Sequence, residues 1–252
     1  MHTALEQLPF KVRMEWGLDG AEAIGRTDVA IVVDVLSFST CVSVAADAGI
    51  SVLPYRWAAD GAAAYATKHG AVLAVGRSQA GPGQISLSPG SIRAAEGVTR
   101  LVLPSPNGST IAAHLFERGS RVLAGSLRNA GALAEWLTEA HGPDGATVAV
   151  IAAGERWPGG GMRPAVEDLW GAGAVVSALH AAGWTSASPE ATTAAGAFHD
   201  VRSDLVARLV ACASGAELLA MGYPDDIAVA AELGTSRSVP LLDETGFRPS
   251  AP

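Results

Sequence analysis

The sequence VAIVVDV at residues 29–35 is a run of apolar, mostly β-branched residues interrupted only by Asp34. Runs of this kind are typical of a central parallel strand that is buried on both faces. From Ser39 the chain changes to an alanine-rich pattern with helical spacing, which ends near Gly49. The stretch therefore predicts a strand, a short loop and a helix, the repeating unit of an α/β fold.

The same alternation continues to about residue 152. Five more strands are predicted, at residues 51–55, 71–75, 100–103, 121–124 and 147–152. The intervening helices are predicted at residues 58–69, 109–118 and 129–141, with a long Gly/Pro/Ser loop at residues 76–91. Six strands alternating with helices predict a mostly parallel sheet. Beyond residue 164 the pattern is helical apart from a short strand at 239–242, so we expect a helical C-terminal third.

Composition favours a single α/β domain over residues 1–252. Hydrophobic residues make up 49% of the chain and charged residues 17%, which suits strands buried on both faces. The net charge is −8 and the 17 Lys and Arg residues are scattered, unlike the basic patch of a nucleic-acid binder. The sequence has neither the pattern of a signal peptide nor a run of about 20 apolar residues that could span a bilayer. We therefore expect a cytoplasmic protein that binds neither nucleic acid nor membrane, with Cys41 and Cys212 as buried thiols.

Polar residues gather directly after the predicted strands. Ligands of open α/β sheets bind beyond the carboxyl ends of the strands. Several of these segments also lead into helix N-termini, where free N–H groups and the helix dipole favour an anion. We therefore predict a site for a small phosphorylated anion. Its candidate side chains are Asp34, Ser37, Ser39, Thr40, Ser88, Asn107, Ser109, Ser126, Asn129, Arg156, Arg163, Glu167 and Asp168.

Each candidate also has an ordinary structural explanation. Serine, threonine and asparagine before a helix are common N-caps, and acids in a first helical turn complement the helix dipole. Arg156 and Arg163 flank a PGGG loop, where they could clamp an oxyanion or pair with Glu155 and Glu167. Asp34 differs, because a carboxylate at the end of a buried strand is costly unless it meets a cation or several donors.

Several familiar chemistries are absent from the sequence. The GxxxxGK[ST], GxGxxG, HExxH and GxSxG motifs do not occur. Cys41 lacks the downstream arginine of a cysteine phosphatase, and Leu36 stands where the Asp-x-Asp phosphatases have their second acid. The six histidines are scattered without the spacing of a metal site.

Six motifs follow one another along the chain in the order DVLSFST, SLSP, PSPNGST, GSLRNA, AAGERW and VEDLWGAGA. Together they resemble the 2-phosphosulfolactate phosphatase family, the ComB-like proteins. The resemblance covers roughly residues 28–180. It implies a three-layer α/β/α fold and Mg²⁺-dependent hydrolysis of 2-phospho-3-sulfolactate to sulfolactate. It also implies that Asp34, Glu167 and Asp168 are the catalytic and metal-binding acids.

The chain departs from the family pattern at two charged positions. Ser37 stands where the family usually has an arginine, and Arg77 stands where it has a glutamate. Because these departures change the charge pattern of a site for an anion and a metal, a phosphatase of the same family with a different substrate is an alternative hypothesis.

From the sequence, the most economical hypothesis is a Mg²⁺-dependent phosphatase of a small acidic phosphomonoester. Asp34 with Glu167 or Asp168 would hold Mg²⁺, which polarises phosphoryl oxygens and activates water. The serine, threonine and asparagine candidates would hold phosphate oxygens, with Arg156 or Arg163 on a second acidic group. The nucleophile is left open between water and Asp34. A non-catalytic protein that binds phosphorylated metabolites is the alternative from another class, and a homo-oligomer is compatible with the sequence.

Overall fold

The computed structural model describes residues 3–56 and 61–249. The strands in these residues are β1 (Val12–Trp16), β2 (Val29–Val33), β3 (Ser51–Arg56), β4 (Val72–Leu73), β5 (Arg100–Ser105), β6 (Arg121–Gly125), β7 (Val148–Ala152), β8 (Glu155–Arg156), β9 (Met162–Arg163), β10 (Pro240–Asp243) and β11 (Gly246–Pro249). Nine of them form one sheet in the order β1-β7-β2-β6-β10-β11-β3-β5-β4, and β8 pairs with β9 in a small ribbon.

Helices cover both faces of the sheet. They are α1 (Gly17–Ala23), α2 (Phe38–Asp47), α3 (Ala62–Lys68), α4 (Pro89–Arg93), α5 (Gly108–Glu117), α6 (Ala130–His141), α7 (Val166–Ala181), α8 (Pro189–Val201), α9 (Leu205–Ala211), α10 (Ala213–Ala220) and α11 (Pro224–Ala230), with short 3-10 turns at Thr3–Glu6, Arg77–Gln79 and Arg202–Asp204.

Strand β2 divides its side chains between two hydrophobic cores. Val29, Ile31 and Val33 pack in the core that also contains residues of α6, α7 and α8. Ala30 and Val32 pack in the opposite core, with residues of α1, α2 and α5. All five side chains are fully buried. The predicted three-layer α/β/α architecture is therefore confirmed, and the apolar run at residues 29–33 reflects burial on both faces.

The sheet is mostly parallel but has an antiparallel hairpin in its middle. Neighbours are parallel from β1 through β7 and β2 to β6, and again from β3 through β5 to β4. The hairpin β10–β11 joins the two groups through antiparallel pairs on both sides. Three antiparallel pairs lie between β6 and β3, so the group β3, β5 and β4 is directed opposite to the group β1, β7, β2 and β6 before the sheet twists. A rotation of about 20–25° between neighbouring strands over the five steps from β2 to β5 reduces the angle between these two strands from 180° to about 55–80°. Helix α5, which follows β5, contacts both β2 and β3, and this brings the end of β5 to the end of β2.

Most predicted elements are confirmed, including the helical C-terminal third from α7 to α11. Strand β1 was missed because VRMEW carries two charged residues. The structure explains how it is tolerated: the buried guanidinium of Arg13 donates hydrogen bonds to the carbonyls of Glu6, Leu8 and Phe10. The predicted strand at 239–242 is β10, whose partner β11 was also missed. The predicted helix at 58–69 is observed from Ala62, and residues 58–60 lie outside the described residues.

Two further predictions concern the cysteines and the membrane. Cys41 and Cys212 are free and buried, as predicted. None of the helices in the described residues combines the length and the apolar character needed to cross a bilayer.

Candidate active site

Asp34 lies in the turn between β2 and α2 and is 7% exposed. Its Oδ1 accepts a hydrogen bond from the backbone N–H of Phe38 at 3.0 Å, and its Oδ2 accepts one from Gly108 at 3.1 Å. Burial nevertheless raises the pKa of Asp34 to about 6, and the charge of Glu167 adds to this rise. Asp34 is therefore a well-anchored carboxyl whose negative charge is not fully compensated.

Gly108 makes the contact between the β5–α5 turn and Asp34 possible. A Cβ atom at this position would lie 2.3 Å from Cδ1 of Phe38 and 2.8 Å from Oδ2 of Asp34. Only glycine allows the backbone to approach the carboxylate this closely. This explains, in physical terms, the glycine of the PSPNGST motif.

Asp168 connects helix α7 to the ends of two strands. Its Oδ1 accepts a hydrogen bond from the N–H of Val35 at 2.7 Å, just beyond β2. Its Oδ2 accepts one from the N–H of Gly154 at 2.8 Å, just beyond β7. Burial, together with the charges of Asp34 and Glu167, raises the pKa of Asp168 well above its usual range. With both oxygens bound to backbone amides, Asp168 holds the first turn of α7 in place.

Glu167 is the most unusual acid of the group. It is 2% exposed, and its Oε2 atom is buried without a hydrogen-bond partner among residues 3–56 and 61–249. An unpaired polar atom in a protein interior is costly and calls for an explanation such as a bound ion or a catalytic role.

Glu155 is a fourth acid at this place, and the sequence analysis did not select it. Its Oε2 accepts a hydrogen bond from Nδ2 of Asn107 at 3.2 Å, and Oδ1 of Asn107 accepts one from Nε of Arg156 at 3.2 Å. Burial raises the pKa of Glu155 to about 7, and the charges of Asp34 and Glu167 add to the rise. Its position directly after the last predicted parallel strand was the signal that could have identified it.

We call Asp34, Glu155, Glu167 and Asp168 the acidic cluster. In the described part of the chain, no three acidic, histidine or cysteine side chains converge on one point as a complete metal cage. Mg²⁺ does not need such a cage, because it usually keeps several waters and binds through one or two carboxylates together with substrate phosphates. The buried carboxyls of Asp34 and Asp168 and the half-buried carboxyl of Glu155 all have raised pKa values, and with the unpartnered Oε2 of Glu167 they form a donor set that fits this mode of binding.

A cleft of about 200 Å³ lies beside the acidic cluster. Its wall includes Asp19 of α1, Asn107 and Thr110 at the start of α5, and Glu155 and Arg156 of the β8–β9 ribbon. Glu155 belongs to both the cleft and the cluster, and Asn107 is hydrogen-bonded to it. These two side chains therefore connect the open cleft to the buried acids.

Arg156 and Arg163 have different environments. Arg156 lines the cleft and donates a hydrogen bond from Nε to Oδ1 of Asn107. Arg163 turns instead to Ser214, whose Oγ accepts a hydrogen bond from Nη2 at 3.3 Å, and its guanidinium lies 5.9 Å from the ring of Trp157. Of the two predicted arginines, only Arg156 lines the cleft.

Five of the predicted phosphate-binding side chains are fully buried and bind neighbouring protein groups. After β2, Ser39 is hydrogen-bonded to the backbone of Asp34, and Thr40 donates to the carbonyl of Val35. After β5, Ser109 donates to the carbonyl of Leu103. After β6, Ser126 donates to Oδ1 of Asn129, and Nδ2 of Asn129 donates to the carbonyls of Ala124 and Ser238. These contacts give the five side chains a role in fixing the loops, and we revise the expectation that they bind phosphate.

The two positions that depart from the family pattern contact each other. Ser37 Oγ accepts a hydrogen bond from the guanidinium of Arg77. Arg77 also donates from Nε to Oδ2 of Asp226 at 2.8 Å, and Ser88 donates to the other oxygen of Asp226. Ser37 and Ser88, both predicted to bind substrate, thus belong to a network that adjoins the turn of Asp34.

A family model described as 2-phosphosulpholactate phosphatase matches residues 19–245, nearly the whole chain. The chain belongs to the 2-phosphosulpholactate phosphatase family. A search of curated proteins finds no match. The matched range contains the whole acidic cluster and the cleft residues Asn107 and Arg156. Membership confirms the resemblance and identifies the protein as a phosphatase, a phosphoric monoester hydrolase, whose family implies a small phosphorylated substrate.

Proposed function

We propose that this phosphatase requires Mg²⁺ and hydrolyses a small acidic phosphomonoester at the acidic cluster, with 2-phosphosulfolactate as the substrate that the family suggests. The single observation that carries the proposal is the buried, unpartnered Oε2 of Glu167 among carboxyls whose pKa values are raised. Several buried acids close together destabilise one another unless protons or a cation neutralise them. A divalent cation would neutralise them at neutral pH.

Within this proposal, Asp34 and Glu167 would hold Mg²⁺. Asp168 is held more tightly by the backbone than Asp34: its hydrogen bonds to the amides of Val35 and Gly154 are 2.7 and 2.8 Å long, whereas those of Asp34 are 3.0 and 3.1 Å long. This suits Asp168 to fix Glu167 and the end of β2 rather than to serve as the main ligand. When bound, Mg²⁺ would polarise the phosphoryl oxygens and lower the pKa of a coordinated water.

The cleft residues would bind and orient the rest of the substrate. The guanidinium of Arg156 would pair with the second acidic group, since arginine binds carboxylate and sulfonate groups with paired donors. Asn107 would orient Arg156 through Oδ1 and Glu155 through Nδ2. Glu155, with a pKa of about 7, could hold or release a proton near neutral pH at the boundary between cleft and cluster.

Water is favoured over Asp34 as the nucleophile. Both carboxylate oxygens of Asp34 accept backbone hydrogen bonds, and the side chain is 7% exposed. An attacking carboxylate would need a free oxygen directed at phosphorus. A carboxylate oxygen that accepts one hydrogen bond keeps a second lone pair that can coordinate a cation, so we assign Asp34 to metal binding and the attack to a water molecule.

The test is release of inorganic phosphate from a panel of acidic phosphomonoesters that includes 2-phosphosulfolactate, 3-phosphoglycerate and phosphoserine. We expect release in the presence of Mg²⁺ and loss of release in EDTA. Glu167→Gln should abolish release, whereas the matched change Glu217→Gln, on the exposed face of α10, should not. Full turnover in EDTA, or an active Glu167→Gln variant, would refute the proposed metal site.

A further inference from the structure

Arg77 is held in one orientation by residues from distant parts of the chain. Its side chain is 15% exposed, and Nε donates to Oδ2 of Asp226 on α11 at 2.8 Å. A second donor of the guanidinium, Nη2, binds Oγ of Ser37. The hydroxyl of Tyr223 donates to the backbone carbonyl of Arg77 at 2.9 Å, which fixes the loop itself. The position of the positive charge is therefore well defined.

Ser37 joins this network to the acidic cluster. It is the residue that precedes α2, and the N–H of the next residue, Phe38, is the donor to Oδ1 of Asp34. Arg77 thus contacts the turn that holds Asp34. Its positive charge also acts on the carboxyl directly, since it lowers the pKa of Asp34 against the larger effect of burial.

Asp226 partly neutralises Arg77. It is 2% exposed, and its two oxygens accept hydrogen bonds from Ser88 and Arg77. A cation held by a buried carboxylate exerts a weaker field on its surroundings than a free cation. Arg77 and Asp226 should therefore influence the acidic cluster with opposite signs.

We propose that Arg77 is a positioning residue that sets how strongly the acidic cluster binds a divalent cation relative to phosphate, and that Asp226 reduces this influence. The inference rests on the proposed function, because it assumes that the cluster binds both Mg²⁺ and phosphate. A positive charge next to the cluster opposes the binding of Mg²⁺ and favours the binding of a phosphate anion.

Two neutral substitutions separate this role from a purely structural one. Arg77→Gln should tighten Mg²⁺ binding and weaken phosphate binding, by about threefold to tenfold each for one charge in a partly screened site. Asp226→Asn should do the reverse for both ions. Both substitutions weaken the same ion pair, so damage to the local structure alone would change both affinities in the same direction in both variants.

The experiment is isothermal titration calorimetry of the whole protein, with MgCl₂ alone and then with inorganic phosphate at saturating Mg²⁺. Arg93→Gln is the matched control. Arg93 lies on α4, close to Arg77 in the sequence, and forms an ion pair with Glu232. The side chains of this pair are 47% and 32% exposed. Arg93→Gln should leave both affinities unchanged. Arg77→Lys keeps the charge and should bind Mg²⁺ nearly as the wild type does. Thermal unfolding of each variant without ligands reports whether it is folded.

Opposite shifts in Arg77→Gln and Asp226→Asn would support the inference. If Arg77→Gln does not fold, Arg77→Lys and Asp226→Asn still provide the comparison, because only Asp226→Asn should weaken Mg²⁺ binding. Shifts in the same direction, or none, would overturn the inference while leaving the proposed function intact. A wild-type protein that binds neither ion would overturn both.

Discussion

Strands β2 and β6 are parallel neighbours, with Val33 opposite Gly125, and both end in buried polar residues. Beyond β6, the buried guanidinium of Arg128 binds Asp47 at 2.7 Å, Glu232 and the hydroxyl of Ser43. Beyond β2, Glu167 is close enough to Asp34 for its charge to raise the pKa of Asp34, in addition to the larger effect of burial.

The difference between these two strand ends is their charge balance. The β6 end is balanced, since the two carboxylates of Asp47 and Glu232 meet two cations, the buried Arg128 and the more exposed Arg93. The amide of Asn129 binds three protein partners there. The β2 end collects buried acids and leaves Oε2 of Glu167 without a partner among the described residues. Buried polar residues at a strand end therefore do not by themselves mark a ligand site; unbalanced charge is the stronger indication.

The largest effect is expected from Asp34→Asn. It removes a proposed metal ligand, so kcat for Mg²⁺-dependent phosphate release should fall by about a thousandfold or more. In EDTA the melting temperature of the variant should stay close to that of the wild type, because the loss of a buried charge offsets the loss of one backbone hydrogen bond, which the Nδ2 of asparagine cannot accept. Asn129→Ala at the β6 end should instead lower the melting temperature and keep kcat. Retention of kcat and Mg²⁺ dependence in Asp34→Asn would exclude the proposed site.

The next largest effect concerns the β6 end. Arg128→Met removes the cation between Asp47 and Glu232, each of which is 32% exposed, while Glu232 keeps its ion pair with Arg93. The free energy of unfolding should therefore fall by about 1.5–3 kcal/mol, as measured by urea denaturation. The folded fraction should keep its kcat/KM within about twofold. A loss of kcat/KM at unchanged stability would show that this end also takes part in catalysis.

Without metal, the protein should become less stable as pH rises, because the carboxyls of the acidic cluster have raised pKa values. The pKa of Asp34 is about 6 in the folded protein, above its ordinary value of 3.8, so the folded state binds more protons in this interval. The free energy of unfolding in EDTA should therefore fall as pH rises from about 4 to about 7, with Asp34 contributing about 2–3 kcal/mol. Glu155, with a pKa of about 7, extends the decline.

Thermal unfolding in EDTA between pH 4 and pH 8 provides the measurement. Mg²⁺ should restore the stability lost at pH 8, and Asp34→Asn should flatten the profile, whereas Arg128→Met should shift the whole profile downward. A stability that rises with pH through this window would contradict the assigned charge balance.

The smallest effect concerns substrate choice. Ser37 removes the cation that the family usually has there, and Arg77 approaches the same place from another loop. We expect kcat/KM for 2-phosphosulfolactate to be about ten- to a hundredfold below that for another acidic phosphomonoester. A panel in which 2-phosphosulfolactate is the best substrate would show that the departures are neutral.

The sequence predicted the parts of the fold that depend on local patterns. The strand at residues 29–33 and its following helix were found because burial on both faces requires continuous apolar residues. The placement of β10–β11 between β6 and β3 was not found, since pairing between distant strands leaves little trace in either strand's own sequence. Asp34 was identified as unusual because a lone acid next to an apolar strand is costly wherever it lies.

The roles of other site residues could not be predicted, because they depend on three-dimensional contacts that sequence patterns do not contain. Ser39 and Ser109 match the pattern of phosphate donors equally well whether they face a ligand or, as observed, the backbone. The contact of Asp34 with Gly108 depends on the rotation of the sheet between β2 and β5, which brings together residues 74 positions apart. Charge balance likewise appears only when such distant residues are assembled.

The central claim, that unbalanced charge at the β2 end marks a divalent-cation site, is tested most directly by crystals grown with Mn²⁺, a replacement for Mg²⁺ with a measurable anomalous signal. The account predicts one strong anomalous peak within bonding distance of a carboxylate oxygen of Asp34 or Glu167. Absence of that peak at a Mn²⁺ concentration that supports phosphate release, or a peak beside Asp47 and Glu232 instead, would contradict it.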